Sequence, residues 1–102
     1  MRENEIERYL TEKVKCRGGK CWKWVSPGRA GVPDRIILFP QGVVAFVETK
    51  APGKRERALQ GYVQRILREL GFTVYSSVDS KVKVEALLAD MEERTGVMRN
   101  GV

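Results

Sequence analysis

Residues 34–50 read DRIILFPQGVVAFVETK, and their reading decides the fold. Two apolar runs, 34–39 and 43–50, are joined through Pro40-Gln41-Gly42, residues that reverse a chain. Both runs are apolar at odd and even positions alike, which predicts strands covered on both faces. In a hairpin centred near Gln41, Asp34 falls opposite Glu48, with Cβ atoms roughly 5 Å apart. Lys50 lies two residues beyond Glu48 and therefore projects from the same face. Two carboxylates and one ammonium then meet at one end of the sheet.

Outward from this hairpin, Ala51-Pro52-Gly53 stops the second strand. Residues 55–70 show helical periodicity, with Leu59, Val63, Ile66, Leu67 and Leu70 expected inward and Gly71 as the C-terminal cap. Residues 72–78 (FTVYSSV) read as a strand, and 80–94 as a helix with Val84, Leu87, Leu88 and Met91 on one side. On the N-terminal side, PGRAGVP at 27–33 is a turn-rich loop. Residues 20–26 (KCWKWVS) alternate as a strand with one covered face. Residues 3–17 form a helix with Ile6, Leu10 and Val14 as its apolar stripe, ended by Gly18-Gly19. The order αβββαβα predicts an α/β fold with a mixed central sheet flanked by helices. The third and fourth strands, joined through a helix, are expected to be parallel.

At 102 residues the chain is the size of one domain, expected over 1–95, with a flexible C-terminal tail at 96–102. No apolar run reaches the roughly 18 residues of a membrane span. The charged start MRENEIERYL lacks the apolar core of a signal peptide, so a cytoplasmic protein is expected, with no membrane partner. Nineteen basic residues against thirteen acidic ones give a net charge of +6. Nucleic acid is the first candidate partner for such a balance, although many basic domains bind none. Cys16 and Cys21 do not make a CxxC pair, and with no histidine in the chain they do not suggest zinc. They read as ordinary, partly buried thiols.

Two carboxylates as close as Asp34 and Glu48 repel each other. A divalent cation removes that penalty, and oxygen ligands with positions left for water and phosphate suit Mg²⁺ or Mn²⁺. Such an ion polarises a phosphoryl oxygen and lowers the pKa of a bound water. Lys50 would orient the water or offset transition-state charge. Each residue also has a plain reading: Asp34 as a turn residue after proline, Glu48 and Lys50 as a solvated strand end. Residue spacing leaves the two readings open. Glu3 shares the stripe of Ile6 and Leu10 and faces inward as a third carboxylate, or serves as a first-turn glutamate favoured by the helix dipole. Glu5 and Glu7 lie off the stripe and read as solvated. Gln60 reaches the site or a phosphate, or is simply solvated. The loop from Ser26 leads into the Asp34 strand, and Ser26, Arg29 and Arg35 are candidate DNA contacts. Trp22 and Trp24 share one strand face, for core or dimer packing rather than base stacking.

Ser26-Pro27-Gly28-Arg29, Gly31-Val32-Pro33-Asp34-Arg35, Glu48-Thr49-Lys50-Ala51-Pro52 and Leu59-Gln60, in this order, resemble the VRR-NUC family of the PD-(D/E)XK nuclease superfamily. The likeness spans roughly residues 3–78. It implies a restriction-endonuclease-like fold and Mg²⁺- or Mn²⁺-dependent phosphodiester hydrolysis. It assigns metal ligation to Asp34 and Glu48, with the Thr49 backbone carbonyl as a further ligand, and makes Lys50 the catalytic lysine. Glu3 is similar to the first-helix glutamate of archaeal Holliday junction resolvases, and Gln60 to the family's second-helix glutamine. Short stand-alone members are largely phage or bacterial, which for a phage protein implies the host cytoplasm. The expectation is a homodimeric endonuclease selective for branched DNA such as Holliday junctions. Alternatives are a monomeric non-specific nickase or repair-type nuclease on duplex DNA, and a non-catalytic DNA-binding module.

Overall fold

The structure, a computed structural model, describes residues 2–96. Helix α1 (Glu3–Cys16) is followed by strands β1 (Lys20–Lys23), β2 (Arg35–Phe39) and β3 (Val43–Thr49). Helix α2 (Ala58–Glu69), strand β4 (Thr73–Val78) and helix α3 (Lys81–Thr95) complete the chain. The order αβββαβα is the one expected from the sequence. The expected tail lies, apart from Gly96, outside the described residues.

The sheet runs β1-β2-β3-β4, antiparallel except for the parallel pair β3–β4 that α2 connects. Arg35 pairs with Val47 and Phe39 with Val43, so the hairpin is centred on Gln41 as the spacing predicted. Gln41 and Gly42 both adopt positive φ, at 69° and 75°. That local hand lets a short connection join twisted strands.

Alternation along the strands sends Ile37, Phe39, Ala45 and Val47 to one face. There they join Ile6, Leu10, Val14, Val84, Leu87, Leu88 and Met91 from α1 and α3 in one buried cluster. The stripes read for these two helices are the stripes they bury. α1 can end against β2 because residue 19 is glycine. A Cβ there would stand 2.6 Å from the Phe39 ring and 2.7 Å from the Leu38 carbonyl. Ser80 caps α3 by accepting a bond from the Lys83 N–H at 3.2 Å.

The opposite face is less complete. α2 packs on β4, and Ile36, Leu38 and Val44 remain half-buried. The expectation of strands covered on both faces holds for β3 from Ala45 to Thr49 and fails for β2: one helix is too narrow to roof four strands. β1 also stops at Lys23 rather than 26, and Trp22 is 59% exposed, so it is not part of the core. Trp24 is half-buried and its ring lies 5.0 Å from that of Phe46. Within α2 the buried side chains are Val63 and Gln64, while Leu59 and Leu70 face out. Cys16 is exposed rather than partly buried, and Cys21 is half-buried; both are free thiols. Among the described residues no helix is long and apolar enough to cross a membrane.

Candidate active site

Pro33 is buried and leads directly into Asp34, whose carbonyl accepts the Trp24 N–H at 2.8 Å. This fixes the backbone of Asp34 at the mouth of the β2–β3 ladder. The register continues to place Asp34 across from Glu48. Asp34 Oδ2 accepts two bonds from Thr49, from its backbone N–H at 2.8 Å and its hydroxyl at 2.6 Å. The threonine thus clamps one carboxylate oxygen of Asp34 at the end of β3.

Glu48 is 1% exposed. Its Oε2 accepts the Gln60 side-chain amide at 2.8 Å and lies 3.3 Å from Lys50 Nζ. Lys50 Nζ also donates to Gln60 Oε1 at 2.8 Å. Glu48, Gln60 and Lys50 therefore close a three-membered ring of polar contacts. Gln60 Oε1 further accepts the Arg57 N–H at 2.9 Å, which ties the site to the first turn of α2. The remaining oxygen, Glu48 Oε1, is buried and has no hydrogen-bond partner among the described residues. Burial, and then the negative charge of Asp34, push the Glu48 carboxyl up to about 7. Lys50 opposes the rise, and Glu3 adds to it from the first turn of α1.

A β-bulge accompanies this carboxylate. Val47 pairs with Tyr75 but Thr49 pairs with Val78, so β4 carries an extra residue opposite Glu48. Ser77 absorbs it with φ 54°. Bulges of this kind re-aim side chains beside active sites.

The structure thus brings Asp34, Glu48, Thr49, Lys50 and Gln60 together. Glu3 is part-buried and acts on Glu48 through its charge. Among the described residues no three acidic or cysteine side chains gather closely enough to cage a metal unaided. Arg35 is set apart, since its guanidinium pairs with Glu7 at 3.1 Å on the α1 side of the sheet. Glu7, expected to be solvated, is the other half of that bond. Ser26 accepts the Arg29 N–H through its carbonyl at 3.1 Å, forming a turn, and Arg29 is exposed over the Tyr62 ring. Two further roles escaped the sequence reading. The Thr49 hydroxyl positions Asp34, a role its place beside Glu48 on a strand end made findable. Gln64 is buried and donates to Glu56 at 3.1 Å. Its spacing of four from Gln60 was the available signal.

The buried, under-bonded Glu48 oxygen fits a cation ligand, as does the pairing of Glu48 with an Asp34 already fixed through one oxygen. Both are hard oxygen donors of the kind Mg²⁺ and Mn²⁺ take.

No protein-family model matches the chain. It is similar to the protein named "Putative nuclease p44" of Acyrthosiphon pisum secondary endosymbiont phage 1, with 48% identity over 60 residues. The match spans 59% of this chain and 64% of the phage protein, so less than two thirds of that relative is covered. A solved structure described as a VRR_NUC domain superposes with a TM-score of 0.79 at 28% identity, covering 85% of this chain and 94% of that one. With the helix and strand order, the mixed sheet and this superposition in agreement, the chain has the restriction-endonuclease-like fold of that VRR_NUC domain and resembles its family.

Proposed function

We propose that this chain is a divalent-metal-dependent DNA endonuclease that works as a homodimer on branched DNA. One observation carries the catalytic part: a carboxylate held almost wholly out of water, opposite a second carboxylate, with one oxygen lacking a hydrogen-bond partner among the described residues. An ionised buried carboxylate is costly unless a cation meets it. Asp34, Glu48 and the Thr49 carbonyl would hold Mg²⁺ or Mn²⁺. When bound, the ion supplies charge for a phosphoryl oxygen and acidifies a water.

The chain's own groups do the rest. Thr49 fixes Asp34 through Oδ2. Gln60 donates to Glu48 and accepts from Lys50, so neither side chain can rotate away alone. Lys50 has three N–H donors, and Gln60 and Glu48 engage two of them. The third is available to a water or to charge developing on the phosphate. Glu3 adds negative potential from α1.

The dimer reading rests on the uncovered half of the sheet, where Trp22 and Phe72 are exposed beside the Trp24–Phe46 contact. Two sites related by a two-fold axis suit paired cuts in a branched substrate.

Cleavage of a four-way junction and of matched duplex in Mg²⁺ and Mn²⁺, with light scattering for mass, tests the whole proposal. Glu48→Ala is expected to lower cleavage by at least a hundredfold while the circular dichroism spectrum stays unchanged. Full activity in that variant sinks the site. Equal cutting of both substrates by a monomer favours a non-specific nickase. DNA binding with no metal-dependent product favours a binding module.

A further inference from the structure

Two tyrosines in this molecule gather cations, and they differ in one respect. Around Tyr9, Lys13 and Lys81 stand 5.4 and 5.1 Å from the ring centroid. Glu85 lies among them: it accepts the Tyr9 hydroxyl and pairs with Lys13 at 3.7 Å and Arg17 at 3.6 Å. Glu85 thus supplies a counter-ion to two of these cations and clasps α1 to α3.

Around Tyr62 the cations are Arg29 and Arg65, with guanidinium carbons 5.9 and 5.7 Å from the ring centroid. The ring is 48% exposed and both arginines are exposed. No carboxylate pairs with either arginine among the described residues. Two like charges are therefore held on one ring without a counter-ion. Their arrangement is built into the fold. Arg65 is three residues beyond Tyr62, which places it on the same helix face. Arg29 arrives because the loop after it sits hard on α2: a Cβ at Gly31 would meet Leu59 Cγ at 2.8 Å. Gly31 also has φ +85°, a conformation open to glycine.

Planar guanidinium forks match phosphate oxygens, and the net charge of +6 favours a polyanion. The five residues from Arg29 to Asp34 span at most roughly 18 Å. One DNA strand carries a phosphate about every 3.4 Å of axis, so a backbone on these arginines lies within about five nucleotides of the carboxylate pair.

We propose that Arg29 and Arg65, gathered on the Tyr62 ring, form a clamp for the DNA phosphate backbone flanking the cleaved bond. The clamp rests on the nuclease reading for its purpose, though not for its binding chemistry. Tyr62 is a positioning residue here: it holds the two guanidiniums apart from solvent disorder and together in space.

The test is fluorescence anisotropy of the full chain with labelled duplex DNA, in chelator, across a salt series. Arg29→Gln and Arg65→Gln are each expected to weaken binding about five- to tenfold and to flatten the slope of log K against log salt by about one. Tyr62→Leu, which removes no charge, is expected to weaken binding about threefold, and Tyr62→Phe to keep wild-type affinity. Lys13→Gln, which removes a cation already paired with Glu85, is the control and should leave the slope unchanged. In cleavage assays the arginine variants should raise KM and spare kcat. An unchanged slope in both arginine variants overturns the clamp, and so does an equal loss in Lys13→Gln. Wild-type protein that binds through these arginines yet never cleaves in Mg²⁺ or Mn²⁺ overturns the nuclease reading and supports the clamp.

Discussion

The two faces of the sheet are built to different ends. On the α1–α3 face, Ile37, Ala45 and Val47 meet Ile6, Leu10, Val14 and Leu88 with no solvent access at all. On the α2 face, Phe46 and Val74 are covered but Ile36, Leu38 and Val44 are only half so, and the face ends in Glu48 and Lys50. Hydrophobic burial is therefore concentrated on the face away from the carboxylate pair. The face with the buried carboxylate gives up coverage, and its helix presents Gln60 and Gln64 inward where apolar side chains would pack better. Stability from one face supports a costly arrangement on the other, a pattern expected where a site needs strained electrostatics.

The closed face can be broken most simply at Leu88. Leu88→Ala removes a side chain with no solvent exposure and leaves a cavity between α3 and the sheet. The expected loss is about 2–5 kcal/mol in urea unfolding. Leu38→Ala, the same chemistry on the half-covered face, should lose clearly less. Equal losses would show that the two faces contribute alike.

The carboxylate gives a second contrast, measured in chelator. An ordinary glutamate ionises near 4.5, and in the fold Glu48 ionises near 7 because burial and Asp34 disfavour its charge. Between these values the unfolded chain has released the proton and the folded chain still holds it. Stability therefore falls as pH rises from about 4.5 to about 7 and is flat beyond. The full change is about 3 kcal/mol. Glu48→Gln removes this slope, and its advantage over wild type should grow across the same pH window. A wild-type profile that matches Glu48→Gln throughout would mean that Glu48 is not disfavoured by its surroundings.

These contrasts also explain what the sequence could and could not reveal. The hairpin register was legible because two long apolar strands around a short turn admit few pairings, and that alone set Asp34 against Glu48. The α1 and α3 stripes were legible because their faces are wholly apolar. α2 misled for the opposite reason. Periodicity counts apolar residues, so Leu59 and Leu70 were expected inside, yet two inward positions belong to glutamines, Gln60 at the site and Gln64 bonded to Glu56. The same apolar count made β2 look as fully roofed as β3, since a sequence does not state how wide a covering helix is. Arg35 looked like a DNA contact from its place in the motif. Its bond to Glu7 depends on α1 crossing that strand, which only the tertiary fold supplies.

The smallest effect is expected at Trp22, and it separates the two ways a face can be left open. Trp22 is paired with Ile36 across the β1–β2 ladder and is 59% exposed. Within one chain it has little to lose, so Trp22→Ser in dilute protein should change unfolding by no more than about 0.5 kcal/mol. Partner contacts would make stability depend on protein concentration, because a folded dimer is favoured by mass action. Melting temperatures measured over a hundredfold range of concentration therefore carry the decision. A rise with concentration in wild type that Trp22→Ser abolishes makes this half of the sheet a surface covered by a second copy. A flat response in both means that the face is open to solvent in the working protein, and the division of labour between the two faces holds within a single chain.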